Sequence, residues 1–190
     1  MVKKILSNSL FFLWGSFILF SLAIMGAWHN SDFAKEKNLS NLKLNTSSRW
    51  KLHHYIGGDC KCSEFIVDYL IKRKTQLDID EEIVIFDDIK NFKTRLIKAG
   101  FNAQSIKYAE YPKENRPVGF PILAITSPAG EVVYEGGYSD KMINPFTEFK
   151  DLKIIHDLKN QERKIASLPA YGCYSSLKYR KEFDPIGLKY

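Results

Sequence analysis

The chain has 190 residues, 45% hydrophobic, 26% charged and 14% aromatic, which suits one ordinary domain with an appendage and a packed core. With Gly 11, Pro 7 and Cys 3 it is neither collagen-like, linker-like nor a disulfide-dense mini-scaffold. The net charge of +6 comes mostly from Lys scattered among Asp and Glu, without the clustered, aromatic-interleaved footprint of a nucleic-acid binder.

Lys3 and Lys4 precede an uncharged run from Ile5 to Trp28, the one stretch long enough to cross a bilayer. The apolar region of a cleavable signal peptide has about 7–15 residues, and this run is longer. Residues 1–28 therefore predict an uncleaved signal anchor, a single transmembrane helix. Retention of Lys3 and Lys4 in the cytoplasm places the chain in the inner (cytoplasmic) membrane, with its domain facing the periplasm or cell exterior. Residues 29–49 are polar and read as a tether.

From Trp50 the texture alternates. Trp50 to Ile56, closed by Gly57-Gly58, predicts a strand. Ser63 to Lys74 carries Phe65, Ile66, Tyr69, Leu70 and Ile71 at helical spacing. Glu82 to Phe86 predicts a buried strand. Ile89 to Ala99 predicts a helix, with Gly100 past its C-terminus. Pro121 to Thr126 and Glu131 to Tyr134 predict a hairpin around Ser127-Pro128-Ala129-Gly130. Phe149 to Asn160 is amphipathic through Leu152, Ile155 and Leu158. Strands separated by single helices imply right-handed parallel crossovers, and the hairpin makes the sheet mixed. The fold class is α/β, with a central mixed sheet flanked by helices. Residues 50–165 form the domain, and 166–190 form a C-terminal extension packed on or near it. Within that extension, Ser175 or Ser176 predicts the cap of a helix running through Phe183.

The residues at three places resemble the thioredoxin superfamily, especially its membrane-tethered, outward-facing members. Asp59-Cys60-Lys61-Cys62 lies between the first strand and a helix. Gly119-Phe120-Pro121 stands directly before a strand, where the family has its cis-proline. Ser127 to Gly137 matches its final hairpin. The resemblance implies a thioredoxin-like fold over about Trp50 to Asn160. It also implies thiol–disulfide exchange on protein thiols or disulfides, with Phe120 and Pro121 shaping the substrate groove. The family motif is Cys-x-x-Cys and this one is Cys-x-Cys. Either Cys60 or Asp59 thus stands at the first family cysteine, with Cys62 at the second.

A cysteine at a helix N-terminus meets unpaired N–H groups and the positive end of the helix dipole, and both favour the reactive thiolate. Cys60 and Cys62 are the expected catalytic pair, Cys60 the more exposed. A disulfide across one intervening residue would be strained and readily reduced. Cys173 is either a resolving thiol or a buried one. His53 and His54 alternate to opposite sheet faces, so at most one approaches the cysteines. Two thiolates and a His suit Cu(I) or Zn(II). Similarity to copper chaperones of the Sco type makes Cys60, Cys62 and His54 a second reading, but those proteins have a wider Cys spacing and a downstream His. A non-catalytic interaction domain is a third. Asp87-Asp88 and Glu81-Glu82 read as strand-end carboxylates that solvate or cap. There is no phosphate loop, no Gly-x-Gly-x-x-Gly and no His-Glu-x-x-His, so no cofactor is expected.

Overall fold

A computed structural model describes residues 2–29, 48–160 and 165–175. The expected tether, and the helix expected through Phe183, lie outside the described residues. The N-terminal segment and the rest of the chain form two separate units.

The first unit is helix α1, Val2–His29. Leu10, Phe11, Phe12, Leu13, Trp14, Phe17, Leu19, Phe20, Leu22, Ile24 and Met25 are all large apolar side chains exposed on it. Among the described residues no helix is long and apolar enough to cross a membrane. A helix stands where residues 1–28 predict one, and the membrane span expected of it is not shown.

The second unit holds the domain. Its elements are β1 (Lys51–Gly57), α2 (Lys61–Arg73), β2 (Asp80–Phe86), α3 (Phe92–Lys98), β3 (Asn102–Ile106), β4 (Gly119–Phe120), β5 (Ile122–Thr126), β6 (Val132–Gly136), α4 (Asp151–Asn160) and β7 (Cys173–Tyr174). A five-stranded sheet has the order β3-β2-β1-β5-β6. The β1–β2 and β2–β3 pairs are parallel, and β5 runs antiparallel to both β1 and β6. The mixed sheet and its hairpin are as the sequence predicts. Ser127 N–H donates to Glu131 O at 2.9 Å across the hairpin turn, and Gly130 takes φ 81° there.

Strand alternation splits the core in two. Leu52, Ile56, Ile83, Ile85, Leu123 and Ile125 face one side, with Ile66, Val67 and Leu70 of α2, Phe92 and Leu96 of α3, and Ile154, Ile155 and Leu158 of α4. Tyr55, Val84, Phe86, Ile122 and Ala124 face the other side. That face is covered by Phe120, Ala170 and Tyr174, with Tyr108, Tyr111 and Val118 packed against them. Among the described residues, the three α-helices of the domain therefore lie on one face, and irregular chain with short 3-10 turns covers the other. Two successive crossovers in one direction, β1 to β2 to β3, put both connecting helices on the same side.

Several expected boundaries shift. Helix α3 starts at Phe92 rather than Ile89, which is exposed. The reason is a cap: Asp88 Oδ1 and Oδ2 accept from the N–H groups of Phe92 (2.7 Å) and Lys93 (3.0 Å). Strand β3 escapes the sequence pattern because its Asn102-Ala103-Gln104-Ser105 run is largely polar at a sheet edge.

Glu81 is not the solvated strand-end carboxylate expected. Its side chain is buried, and Arg73 from the last turn of α2 turns inward onto it, with Nη1 3.1 Å from Oε1. Arg73 Nε also donates to Asp151 of α4 at 3.2 Å, and Tyr69 OH donates to Asp151 at 2.6 Å. His54 Nε2 lies 3.3 Å from Glu81, and His54 Nδ1 lies 2.7 Å from Tyr138 OH. This network ties the C-terminal end of α2 to β1, β2 and α4. A buried network of this kind stabilises only while every member keeps its partners.

Burial alone would push the Glu81 carboxyl up. The hydrogen bonds from His54 and Arg73 outweigh it and hold the carboxyl at about 2, against an ordinary 4.5. Its folded value lies below its unfolded one, so the stabilisation is complete above pH 4.5 and is lost as pH falls toward 2. Glu81→Gln is expected to cost about 3 kcal/mol at pH 7 and to flatten the acid limb between those values. Urea unfolding across that pH range checks this; an unchanged acid limb would show that the network contributes nothing.

Candidate active site

The chain reaches the site through the end of β1. Gly58 N–H donates to Phe86 O at 2.7 Å, and a Cβ at Gly58 would stand 2.2 Å from Asp87 O, so only glycine lets β1 turn here. Cys60 N–H then donates to Gly57 O at 3.2 Å, and Glu64 N–H donates to Cys60 O at 3.2 Å. Cys60 is thus the N-cap of α2, with φ −83° and ψ 126°, and Cys62 lies in the first turn. Ser63 Oγ accepts from Gly57 N–H at 3.1 Å, pinning the first turn of the helix to the strand that feeds it.

The Phe120–Pro121 peptide bond is cis, as the resemblance implied. Phe120 lies beside the thiol: Cys60 Sγ is 3.5 Å from Phe120 O. The Phe120 ring stacks on Phe86 at 5.0 Å, which sets β4 over the apolar C-terminal end of β2.

The third cysteine completes the site. Residues 165–175 run back across the domain as a strap. Gly137 N–H donates to Leu168 O at 3.0 Å, and β7 then pairs antiparallel with β4, placing Cys173 opposite Phe120. Cys173 Sγ lies 2.9 Å from Cys60 Sγ. A disulfide has S–S of about 2.05 Å, so bonding requires the sulfurs to close by only about 0.9 Å. None of the three cysteines is disulfide-bonded in this structure.

Cys60 is not the exposed thiol that the sequence suggests. It is 1% exposed, whereas Cys62 and Cys173 are half-buried. The strap and Phe120 cover it, and neither is near it in sequence. The sulfur is nevertheless well supplied with donors. Hydrogen bonds from Cys173, then Cys62, and from the Ser63 N–H and hydroxyl hold the Cys60 thiol well below the ordinary thiol range, against burial, which pushes it up. A thiol whose hydrogen bonds favour the thiolate has the character that nucleophilic exchange requires.

His54 is not brought to the sulfurs; its two ring nitrogens serve Tyr138 and Glu81 on the helix-covered face. His53, on the opposite face, contacts Thr126 Oγ1 at 3.3 Å and Glu82 at 3.4 Å, and burial holds it below its ordinary value. The metal reading therefore loses its His ligand. Among the described residues no group of three or more His, Cys, Asp or Glu side chains is arranged to hold a metal ion. Ser63, with its double link, had no place in the sequence reading, which left Cys173 open between a resolving thiol and a buried one; the structure sets it beside Cys60.

No family model and no curated protein matches the sequence. Solved structures do. A hypothetical protein of Sinorhizobium meliloti has a TM-score of 0.53 at 19% identity, over 68% of this chain and 80% of its own. An uncharacterised conserved protein of Geobacillus kaustophilus also gives 0.53, at 17% identity over 76% of this chain and 88% of its own. The thioredoxin domain of a thiol-disulfide oxidoreductase from Bacteroides vulgatus gives 0.38, at 16% identity over 47% and 71%. The first two share the fold with this chain. The parallel β1–α2–β2 unit with a cysteine at the cap of α2, the cis-proline before β5 and the β5–β6 hairpin make that fold thioredoxin-like.

Proposed function

We propose that the chain carries out thiol–disulfide exchange on protein substrates, with Cys60 as nucleophile and Cys173 as the thiol that resolves it. The observation that carries this reading is the 2.9 Å approach of the two sulfurs at the cap of α2. Cys62 acts beside them as a donor that steadies charge on Cys60.

The step runs as follows for a substrate disulfide. The Cys60 thiolate attacks one substrate sulfur, the substrate S–S bond breaks, and the departing sulfur takes up a proton. A mixed disulfide results. The Cys173 thiolate, its proton lost to solvent, then attacks Cys60 Sγ and releases the second substrate sulfur, which is protonated in turn. The substrate leaves as a dithiol, two electrons richer, and the protein holds a Cys60–Cys173 disulfide. Run in reverse, the same steps oxidise a dithiol. The second attack needs sulfurs already in contact, which is what the strap provides.

Helix α1 serves in this reading as the membrane anchor, with the domain on the outward side, where disulfides persist. Support comes from Lys3 and Lys4 before the run Ile5 to Trp28, and from the large apolar side chains exposed along the helix.

The test is a redox titration of the full chain in glutathione buffers, with alkylated thiols counted by intact mass and the disulfide mapped by peptide mass. Wild type and Cys62→Ser are expected to show one two-electron transition with Cys60 linked to Cys173. Cys173→Ser is expected to lose that transition or shift it by several tens of millivolts onto Cys60–Cys62. A transition unaffected by Cys173→Ser would make Cys60 and Cys62 the couple instead, and three thiols reduced throughout would sink the exchange reading.

A further inference from the structure

We infer that the same two thiols also reduce hydrogen peroxide, with Cys60 taking the oxygen and Cys173 closing the disulfide. The inference rests on the exchange reading for the Cys60–Cys173 pair and adds a second class of oxidant, one that needs no movement of the strap.

Burial and proximity together carry it. Cys60 is 1% exposed, beneath Phe120 and the strap. A protein disulfide has to lift that roof before it meets the sulfur, and lifting the strap takes Cys173 with it. An oxidant of two oxygen atoms needs far less room. With the strap seated, Cys173 Sγ stays 2.9 Å from Cys60 Sγ. Any oxidised form of Cys60 is then made with a second thiol already in contact. A sulfenic acid condenses with a neighbouring thiol to a disulfide; one left waiting goes on to the irreversible sulfinic and sulfonic acids. The β4–β7 ladder holds Cys173 in register for the first outcome. The Ser63 N–H and hydroxyl support negative charge on Cys60, and Ser63 Oγ accepts from Gly57 N–H, so its own proton is free for the sulfur. The roof also limits size: a bulky organic hydroperoxide meets Phe120 and the strap as a protein disulfide does.

The steps balance with these groups alone. The Cys60 thiolate attacks one oxygen of the peroxide. The S–O bond forms, the O–O bond breaks, and the leaving hydroxide takes the proton of Cys173 to become water. Cys60 is now a sulfenic acid and Cys173 a thiolate. Cys173 then attacks Cys60 Sγ, the S–O bond breaks, and the departing hydroxide takes a proton from solvent. The peroxide has gained two electrons and become two waters, and the protein holds a Cys60–Cys173 disulfide. A dithiol substrate restores both thiols by the exchange steps given above.

The test mixes the reduced full chain, freed of reductant, with one equivalent of hydrogen peroxide at pH 7. Samples are quenched with N-ethylmaleimide, thiols are counted by intact mass, and the disulfide is mapped by peptide mass. An ordinary thiol is only a few per cent ionised at this pH, so a thiolate gains up to about thirty-fold, part of it returned through lower nucleophilicity. Wild type is therefore expected to lose two thiols per peroxide, as a Cys60–Cys173 disulfide, at least about ten-fold faster than free cysteine reacts. It is expected to react more slowly with cumene hydroperoxide. The double variant Cys62→Ser/Cys173→Ser is expected to stop at the sulfenic acid, trapped on Cys60 by dimedone, and Cys60→Ser to lose the fast reaction. Circular dichroism checks that the variants fold; the wild-type rates and peptide map carry the test should either not. A wild-type reaction no faster than that of free cysteine, or a fast one that survives Cys60→Ser, overturns the inference. The same chain is titrated in glutathione buffers. A Cys60–Cys173 couple there without a fast peroxide reaction refutes the peroxide step alone. A Cys60–Cys173 disulfide that peroxide forms and glutathione does not reduce refutes the exchange reading alone.

Discussion

The site depends on one constraint: a sulfur fixed at the N-cap of α2 and enclosed by hydrogen-bond donors. Hydrogen bonds from Cys173, Cys62 and Ser63 hold the Cys60 thiol well below the ordinary thiol range against burial, which pushes it up. An uncompensated buried charge would cost several kcal/mol and the thiol would simply stay protonated. Much of the surrounding architecture serves that arrangement. Gly58 lets β1 pass against the exit of β2, Ser63 ties the helix start to Gly57, and Arg73 anchors the far end of the helix through Glu81 and Asp151.

The division of the sheet into two faces sets what is rigid and what is exchangeable. Three helices cover one face and form the larger core. The other face carries aromatic side chains roofed by irregular chain and by the strap. Arg116 stiffens part of that roof by donating from Nε to Tyr111 O at 2.7 Å and from Nη2 to Ala109 O, and its guanidinium lies over the Tyr108 ring. The strap itself is held by a two-pair ladder, the Leu168 contact and Ser175. Segments with so few ordered backbone bonds are the ones that open locally. In the exchange proposed above, Cys173 lies on this segment and Cys60 on the helix cap.

The sequence made the main elements legible because they carry strong local signals. The apolar runs of β1, β2 and β5, the helical stripe of α2, and the turn at Ser127 to Gly130 appear within a few residues of their predicted places. Cys60 before a helix and Pro121 before a strand were likewise readable. What was missed depends on contacts distant in the chain. Strands β4 and β7 are two residues each and exist only because residue 120 meets residue 173. The burial of Cys60 follows from that same pairing, so the sequence suggested the opposite exposure. Glu81 looked like a solvated carboxylate at a strand end. The partner that turns inward onto it, Arg73, is also held by Asp151, which lies far along the chain. His54 could be assigned to a face opposite His53, but alternation alone does not say which face the cysteines share.

The state of the Cys60 sulfur is measured most directly by thiolate absorbance near 240 nm, followed with pH on the fully reduced chain. The account predicts one thiolate that persists well below the ordinary thiol range of about 8.5, disappears in Cys60→Ser, and titrates at higher pH in Cys173→Ser. Three thiols all ionising near that ordinary value, or a low-pH thiolate that survives Cys60→Ser, would contradict it.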